Sequence, residues 1–461
     1  MIPAPFVHQR DTSLRLCTLP RALVTSDMGT GKTRSVLDAY AWNRNAWGRM
    51  LVLAPLSILD AAWRQDCQQF QPGLRLGLSV AGKRERPFAD GSDIVVLNHD
   101  GAGWLAQNTH LLDGFGVLVI DEFTAYKNRK ATRSKAVNQL VEFFPRRIIM
   151  SGTPYGDKIL DIWNPMRLLD SGRRLGNEFQ SFQETFCKPE PNFHADSGVS
   201  WVEKDGAEED VAMLLRDINI RYAIDDCMDL PQQSTRWMET PLKRAHRKTY
   251  DEFQRESLLE IEEQRVTAAN AAAMTGKLLQ LAAGGVYDEN GNVVQVDDHR
   301  IDQAARYIAE TGLPYLVAFQ WTAQKNSMYR ALNKQGLDWV TIDGGVSQKD
   351  RTAHVKTFQA GEAPVMLLHP QSAAHGLTLT AARGVIWLSP TYSVEQYKQT
   401  NARVRRPGQK HPTEIVHLHA PGTVEQRAYQ IVMGKVGRSS NMLRALLPPG
   451  AGAPGSGAAP W

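Results

Sequence analysis

The segment at 26–33, SDMGTGKT, carries the residue types of a phosphate cradle. It follows the apolar run at 21–25 (RALVT) and opens a stretch of helical character. Backbone N–H groups around Gly29, Thr30 and Gly31, with Met28 in the same turn, would wrap the β- and γ-phosphates of a nucleotide. The dipole of the following helix adds positive potential there. Lys32 would neutralise the terminal phosphates, and the Thr33 hydroxyl would ligate Mg2+. Ser26 stands where the strict G-x-x-x-x-G-K-[ST] pattern has glycine, so the match is a relaxed one.

Further downstream, VLVIDE at 117–122 reads as a short, buried, β-branched strand ending in a pair of carboxylates. Parallel α/β folds place their sites at that edge of the sheet. Asp121 could hold Mg2+, and Glu122 could orient and deprotonate an attacking water. A third strand runs into a small polar turn, IIMSGTP at 148–154, whose Ser151 and Thr153 hydroxyls could sense the phosphate end and couple it to the rest of the domain. Near the other end of the chain, QTNARVRRPGQ at 399–409 spaces Gln399, Arg403 and Arg406 four and three apart, one face of a helix. Arginines brought to a phosphoryl group from another domain stabilise its transition-state charge, a contribution of about 10³–10⁵ in rate.

Elements that could position these residues fall in two blocks of strands alternating with helical patterns. RALVT (21–25), MLVLA (50–54), DIVVL (93–97), VLVI (117–120) and RIIM (147–150) form the first. YLVAF (315–319), WVTI (339–342), VMLL (365–368), VIWL (385–388) and EIVHL (414–418) form the second. Each block reads as a parallel sheet covered by helices on both faces. Between them helical periodicity dominates. The expected domains are an ATP-binding lobe at 1–157, a mostly helical insertion and linker at 158–310, a second lobe at 311–446 and a disordered Pro/Gly/Ala-rich tail at 447–461.

Composition fits a large enzyme of the cytoplasm: 461 residues, 42% hydrophobic, 22% charged and a net charge of +4. The four cysteines, Cys17, Cys67, Cys187 and Cys227, make no C-x-x-C pair, which speaks against a zinc site or a disulfide framework. No secretory signal stands at the N-terminus, and no run approaches the ~18 apolar residues of a membrane span.

Taken in order, Gln9, SDMGTGKT, LVLAPLSIL (51–59), DEFTAYKN (121–128), SGTP, HGLTLT (375–380) and Q-x-x-x-R-x-x-R-x-G-Q (399–409) resemble the motifs of superfamily-two helicases. More narrowly, the chain resembles the Swi/Snf-type DNA translocases, especially their short prokaryotic and phage members, over about 9–435. The resemblance implies two RecA-like P-loop lobes with a helical insertion, and ATP with Mg2+ as cofactors. It further implies that Gln9 reads the adenine edge and that Lys32, Glu122, Arg403 and Arg406 are catalytic. Pro55, Ser57 and Thr378 would then lie near the tracking DNA strand, while Gly376, Leu377 and Thr378 couple the second lobe to DNA and nucleotide. Phe123-Thr124 replaces the family's usual Ala-His, and Thr391-Tyr392 its frequent Trp-Trp; neither change removes a catalytic group.

Nucleic-acid contact has support from charge as well. KNRKATRSK (127–135) directly follows the acidic pair and holds five basic residues, among them Lys127, Arg129 and Lys130, without an acid. Lys83, Arg84 and Arg86 form a second cluster. Such contacts are sequence-independent and salt-sensitive. The expected function is a DNA-dependent ATPase moving along duplex DNA in prokaryotic or infected-host cytoplasm, with target choice left to the insertion or a protein partner. Two alternatives stay open: a strand-separating DNA or RNA helicase of the same superfamily, and a non-catalytic nucleic-acid-binding module with a degenerate ATP site.

Overall fold

A computed structural model describes residues 2–191, 198–263, 268–288, 290–372 and 377–447. The chain divides into two compact units, each passed through more than once. The first comprises Met1–Lys188, Glu203–Asp229 and Val436–Trp461, and the second Pro189–Val202 and Leu230–Lys435. The stretch 158–310, expected as a helical insertion, is therefore shared between the two. The expected tail, beyond 447, lies outside the described residues.

In the first unit, β1 (Arg21–Val24), β2 (Arg49–Ala54), β3 (Leu76–Ser79), β4 (Ile94–Asn98), β5 (Phe115–Asp121) and β6 (Arg146–Met150) build a parallel sheet. After a separate two-stranded ladder of β7 (Cys187–Pro191) and β8 (Val199–Glu203), the short β9 (Asn219–Ile220) completes it in the order β3-β4-β2-β5-β6-β1-β9. Its central strands are apolar along their length because both faces are covered, and β5 is buried at all seven positions. The register sets the site: Asp121 pairs with Met150, which pairs with Val24. The phosphate loop, the acidic pair and the Ser-Gly-Thr-Pro turn thus leave one carboxyl edge at the same level.

The second unit holds β10 (Gln233–Glu239), the hairpin strands β11 (Gly285–Tyr287) and β12 (Val293–Gln295), then β13 (Tyr315–Ala318), β14 (Trp339–Ile342), β15 (Val365–Leu368), β16 (Gly384–Trp387) and β17 (Thr413–His419). Its sheet is again wholly parallel, in the order β10-β17-β16-β13-β15-β14. All ten strands read from the two sequence blocks are present. Strand β10, which lies well before position 311, pairs with β17 along its entire length, from Gln233↔Thr413 to Glu239↔His419. At the heart of this unit Arg300 and Glu425, both buried, form a two-pronged ion pair at 2.8 and 3.1 Å. Ser389 Oγ and the Ala420 N–H also donate to Glu425, so helices and strand ends are tied to one carboxylate. The Asn290-Gly291 turn closes the β11–β12 hairpin, with Asp288 accepting from the N–H groups of Asn290 and Asn292.

Candidate ATP site and the arginine segment

The phosphate loop is shaped by two glycines in the left-handed region, Gly29 at φ 87° and Gly31 at φ 80°. Gly31 caps the helix Lys32–Trp47, whose first N–H groups therefore point into the loop. The left-handed backbone is what asks for glycine at 31, and a Cβ there would also meet Gln9 Nε2 at 2.2 Å and push that side chain aside. Gln9 braces the loop: its Nε2 donates to the Thr30 carbonyl at 3.1 Å and its Oε1 accepts from the Phe6 N–H at 3.1 Å. His8 reaches the same carbonyl at 2.8 Å. The segment after β9 also clamps the loop. Arg221 pairs with the Asp27 carboxylate at 3.0 Å, the Ile224 N–H donates to that carboxylate, and the Asp27 N–H donates to the Tyr222 carbonyl.

Lys32 folds back over this frame, its ammonium donating to the carbonyls of Ser26 and Asp27 at 2.9 and 3.2 Å. Asp121 is buried at the end of β5 and accepts from Trp63 Nε1 at 3.0 Å. Burial and the neighbouring Glu122 charge push its pKa up to about 7, opposed by Lys32 and by the Trp63 hydrogen bond. Glu122 adopts a left-handed backbone at φ 52°, uncommon for a residue with a long side chain. Its carboxylate accepts from Ser151 Oγ at 2.8 Å, and Ser151 Oγ lies 3.2 Å from Thr153 Oγ1. The polar turn is thereby wired to the second acid of the pair.

Donors for a hard divalent cation are present as oxygens: the half-buried Thr33 hydroxyl and the Asp121 carboxylate. This sparse set fits Mg2+, which keeps waters and phosphate oxygens and is rarely caged by protein alone. Among the described residues no group of three His, Cys, Asp or Glu could hold a metal.

Sequence reasoning missed Trp63. An indole inside an apolar pattern reads as core, and nothing in its spacing announces a partner on β5. The proposed nucleic-acid residues are more dispersed in role. Pro55 is buried and Ser57 half-buried, flanking an exposed Leu56 in the turn after β2. Lys127 is engaged by Asp157 at 3.1 Å and Asp161 at 3.9 Å. Arg129 lies over the Phe179 ring, 4.4 Å from its centroid, while Lys130 is exposed.

In the second unit the helix after β16 spans Val394–Asn401 and stops before both arginines, correcting the expectation of one continuous helical face. Turns carry the chain on through Arg403 N→Thr400 O and Val404 N→Asn401 O, toward Pro407, which disfavours helical backbone at the residue before it. Arg403 is buried and donates to the Leu377 carbonyl at 3.2 Å; Arg406 donates to the Ala402 carbonyl and approaches Thr378 Oγ1 at 3.4 Å. The two arginines and Thr378 therefore share one corner, with buried Gln399 nearby in sequence bonding Glu395. Gly376 lies outside the described residues. Gln409 staples the turn, donating to the carbonyls of Thr380, Ala382 and Val404 and accepting from the N–H groups of Lys410 and His411.

A parallel sheet with a glycine-rich loop, a lysine and an acidic pair at its carboxyl edge defines a P-loop nucleotide-binding unit, here joined to a second parallel α/β unit. The SNF2-related domain profile matches residues 18–283, and the helicase conserved C-terminal domain profile matches 292–408. The chain belongs to the SNF2-related family, helicase-like proteins of superfamily two. It is similar to protein p41 of Acyrthosiphon pisum secondary endosymbiont phage 1, 26% identical over 92% of this chain and 94% of the phage protein. It also resembles a Mycoplasma genitalium protein named uncharacterized ATP-dependent helicase MG018, 24% identical over 89% of this chain and 39% of that protein. Among solved structures, the Sulfolobus solfataricus SWI2/SNF2 ATPase core in complex with dsDNA matches with a TM-score of 0.45 and 20% identity, over 97% of each chain. The chain thus spans nearly all of the phage relative but under half of the Mycoplasma one. No helix among the described residues is long and apolar enough to cross a membrane.

Proposed function

We propose that the chain is a DNA-dependent ATPase that moves along duplex DNA without separating its strands. The observation that carries this reading is the convergence, at one sheet edge, of the Gly29–Gly31 loop, Lys32, Asp121 and the Ser151-bonded Glu122. Loop N–H groups bind the β- and γ-phosphates, and Lys32 exchanges its carbonyl partners for phosphate oxygens. Thr33 and Asp121 would hold Mg2+, which would supply charge neutralisation for the phosphates. Glu122, oriented by Ser151, positions the attacking water and takes its proton. Arg403 and Arg406 of the second unit supply charge stabilisation as the terminal phosphoryl group leaves.

Nucleic-acid binding in this reading runs through Pro55, Ser57, Arg129, Lys130 and Thr378, with Lys127 contributing once released from its aspartates. Measuring ATP turnover with duplex DNA, single-stranded DNA and RNA side by side tests the proposal. Duplex should stimulate most, with a steep decline as salt rises. Equal or greater stimulation by RNA would sink it.

A further inference from the structure

We propose that Trp63 is a positioning residue for the metal site: its indole N–H fixes the Asp121 carboxylate in the orientation that receives Mg2+. The geometry is direct. Trp63 is fully buried and its Nε1 donates to Asp121 Oδ2 at 3.0 Å. One carboxylate oxygen is thus held by the protein, and the side chain cannot rotate without breaking a buried hydrogen bond. Fixing a metal-binding carboxylate through an outer partner is how proteins commonly tune such ligands.

Where Trp63 sits gives the contact a second consequence. It lies on Leu59–Arg64, wound as a single π-helical stretch between a 3-10 turn at Leu56–Ile58 and the helix Gln65–Phe70. Such widened turns are rare and recur at functional sites, because they re-aim a side chain that regular winding would point elsewhere. Here the stretch begins one residue beyond Pro55–Ser57, the segment proposed to meet DNA. One short piece of chain therefore joins that segment to the carboxylate that holds the metal, and a shift in its winding moves the indole and Asp121 together.

The inference rests on the ATP-site reading, and its test separates the two. The affinity of a fluorescent ADP is measured in EDTA and across a Mg2+ titration, for wild type, Trp63→Phe, Asp121→Asn and the double variant. Wild-type protein should bind more tightly with Mg2+. Trp63→Phe keeps an aromatic ring, though a smaller one, and loses the donor; its affinity in EDTA should stay at the wild-type level, while the Mg2+ concentration for half-maximal tightening rises about tenfold or more. In the Asp121→Asn background the same change should add nothing further. Should Trp63→Phe fail to fold, Trp63→His, which retains a ring N–H, should keep a near wild-type Mg2+ midpoint. Equal weakening with and without Mg2+, a full additional loss in the double variant, or a shifted midpoint in Trp63→His would each overturn the positioning role. Wild type that gains nothing from Mg2+ would overturn the ATP-site reading and the inference with it.

Discussion

Ser151→Ala removes the hydrogen bond to Glu122, together with the local contacts of Ser151 Oγ with the Thr153 hydroxyl and N–H, and the expected loss of turnover follows from the first of these. Ser151 Oγ donates to the Glu122 carboxylate at 2.8 Å, a normal hydroxyl hydrogen-bond distance, here to an acceptor that carries charge when ionised. Glu122 holds its position against a left-handed backbone, which costs a residue with a Cβ roughly 1–2 kcal/mol. A hydrogen bond to a charged group contributes about 1.5–3 kcal/mol. If all of it orients the carboxylate in the transition state, at about 1.4 kcal/mol per decade, turnover falls roughly ten- to a hundredfold. Nucleotide affinity should change little, because Ser151 contacts Glu122 and not the loop that grips phosphate. Steady-state DNA-stimulated hydrolysis and fluorescent-ADP titration measure the two quantities. In a Glu122→Gln background the serine change should cost far less, since the group it orients is already disabled. Undiminished turnover in Ser151→Ala, or an affinity loss as large as the loss of turnover, would refute the coupling.

Lys32→Ala and Glu122→Gln should both nearly abolish hydrolysis, but only the first should weaken nucleotide binding, as affinity measurements on the two variants will show. Arg406→Ala should lower turnover by about a hundred- to ten-thousandfold with nucleotide affinity nearly kept, as for a group acting mainly in the transition state; single-turnover kinetics checks this. Burial holds the His417 pKa down, at about 3, within a ring cluster of Tyr397, Trp237 and Tyr429. The unfolded chain takes up that proton below about 6.5 while the native state does not, so stability is lost as pH falls from there toward 3. His417→Gln, which cannot charge, should flatten that decline in urea titrations run across the range.

Both sheets were legible because parallel strands buried on two faces are written as unbroken apolar runs. What escaped shows where that signal fails. Strand β10, QSTRWME, is an edge strand with mostly exposed residues, so its place is set by pairing with β17 and not by its own pattern. Strand β9 is only two residues long, yet it leads into the segment that clamps Asp27. The phosphate loop, the acidic pair and the Ser-Gly-Thr-Pro turn were readable from residue type and order. Their wiring was not: Trp63 to Asp121 and Ser151 to Glu122 arise where strand ends meet. The helical face expected through Arg406 failed because the chain turns after Asn401, and Lys127 of the basic run proved to be committed to Asp157 and Asp161.

Displacement of a triplex-forming oligonucleotide from duplex DNA is the most direct test of ATP-driven movement along an intact double helix. Wild-type protein should release the third strand only when ATP and Mg2+ are present, Lys32→Ala should not release it at all, and neither should unwind a forked duplex. Robust unwinding of the fork, or a third strand that stays bound while ATP is being hydrolysed, would contradict the account.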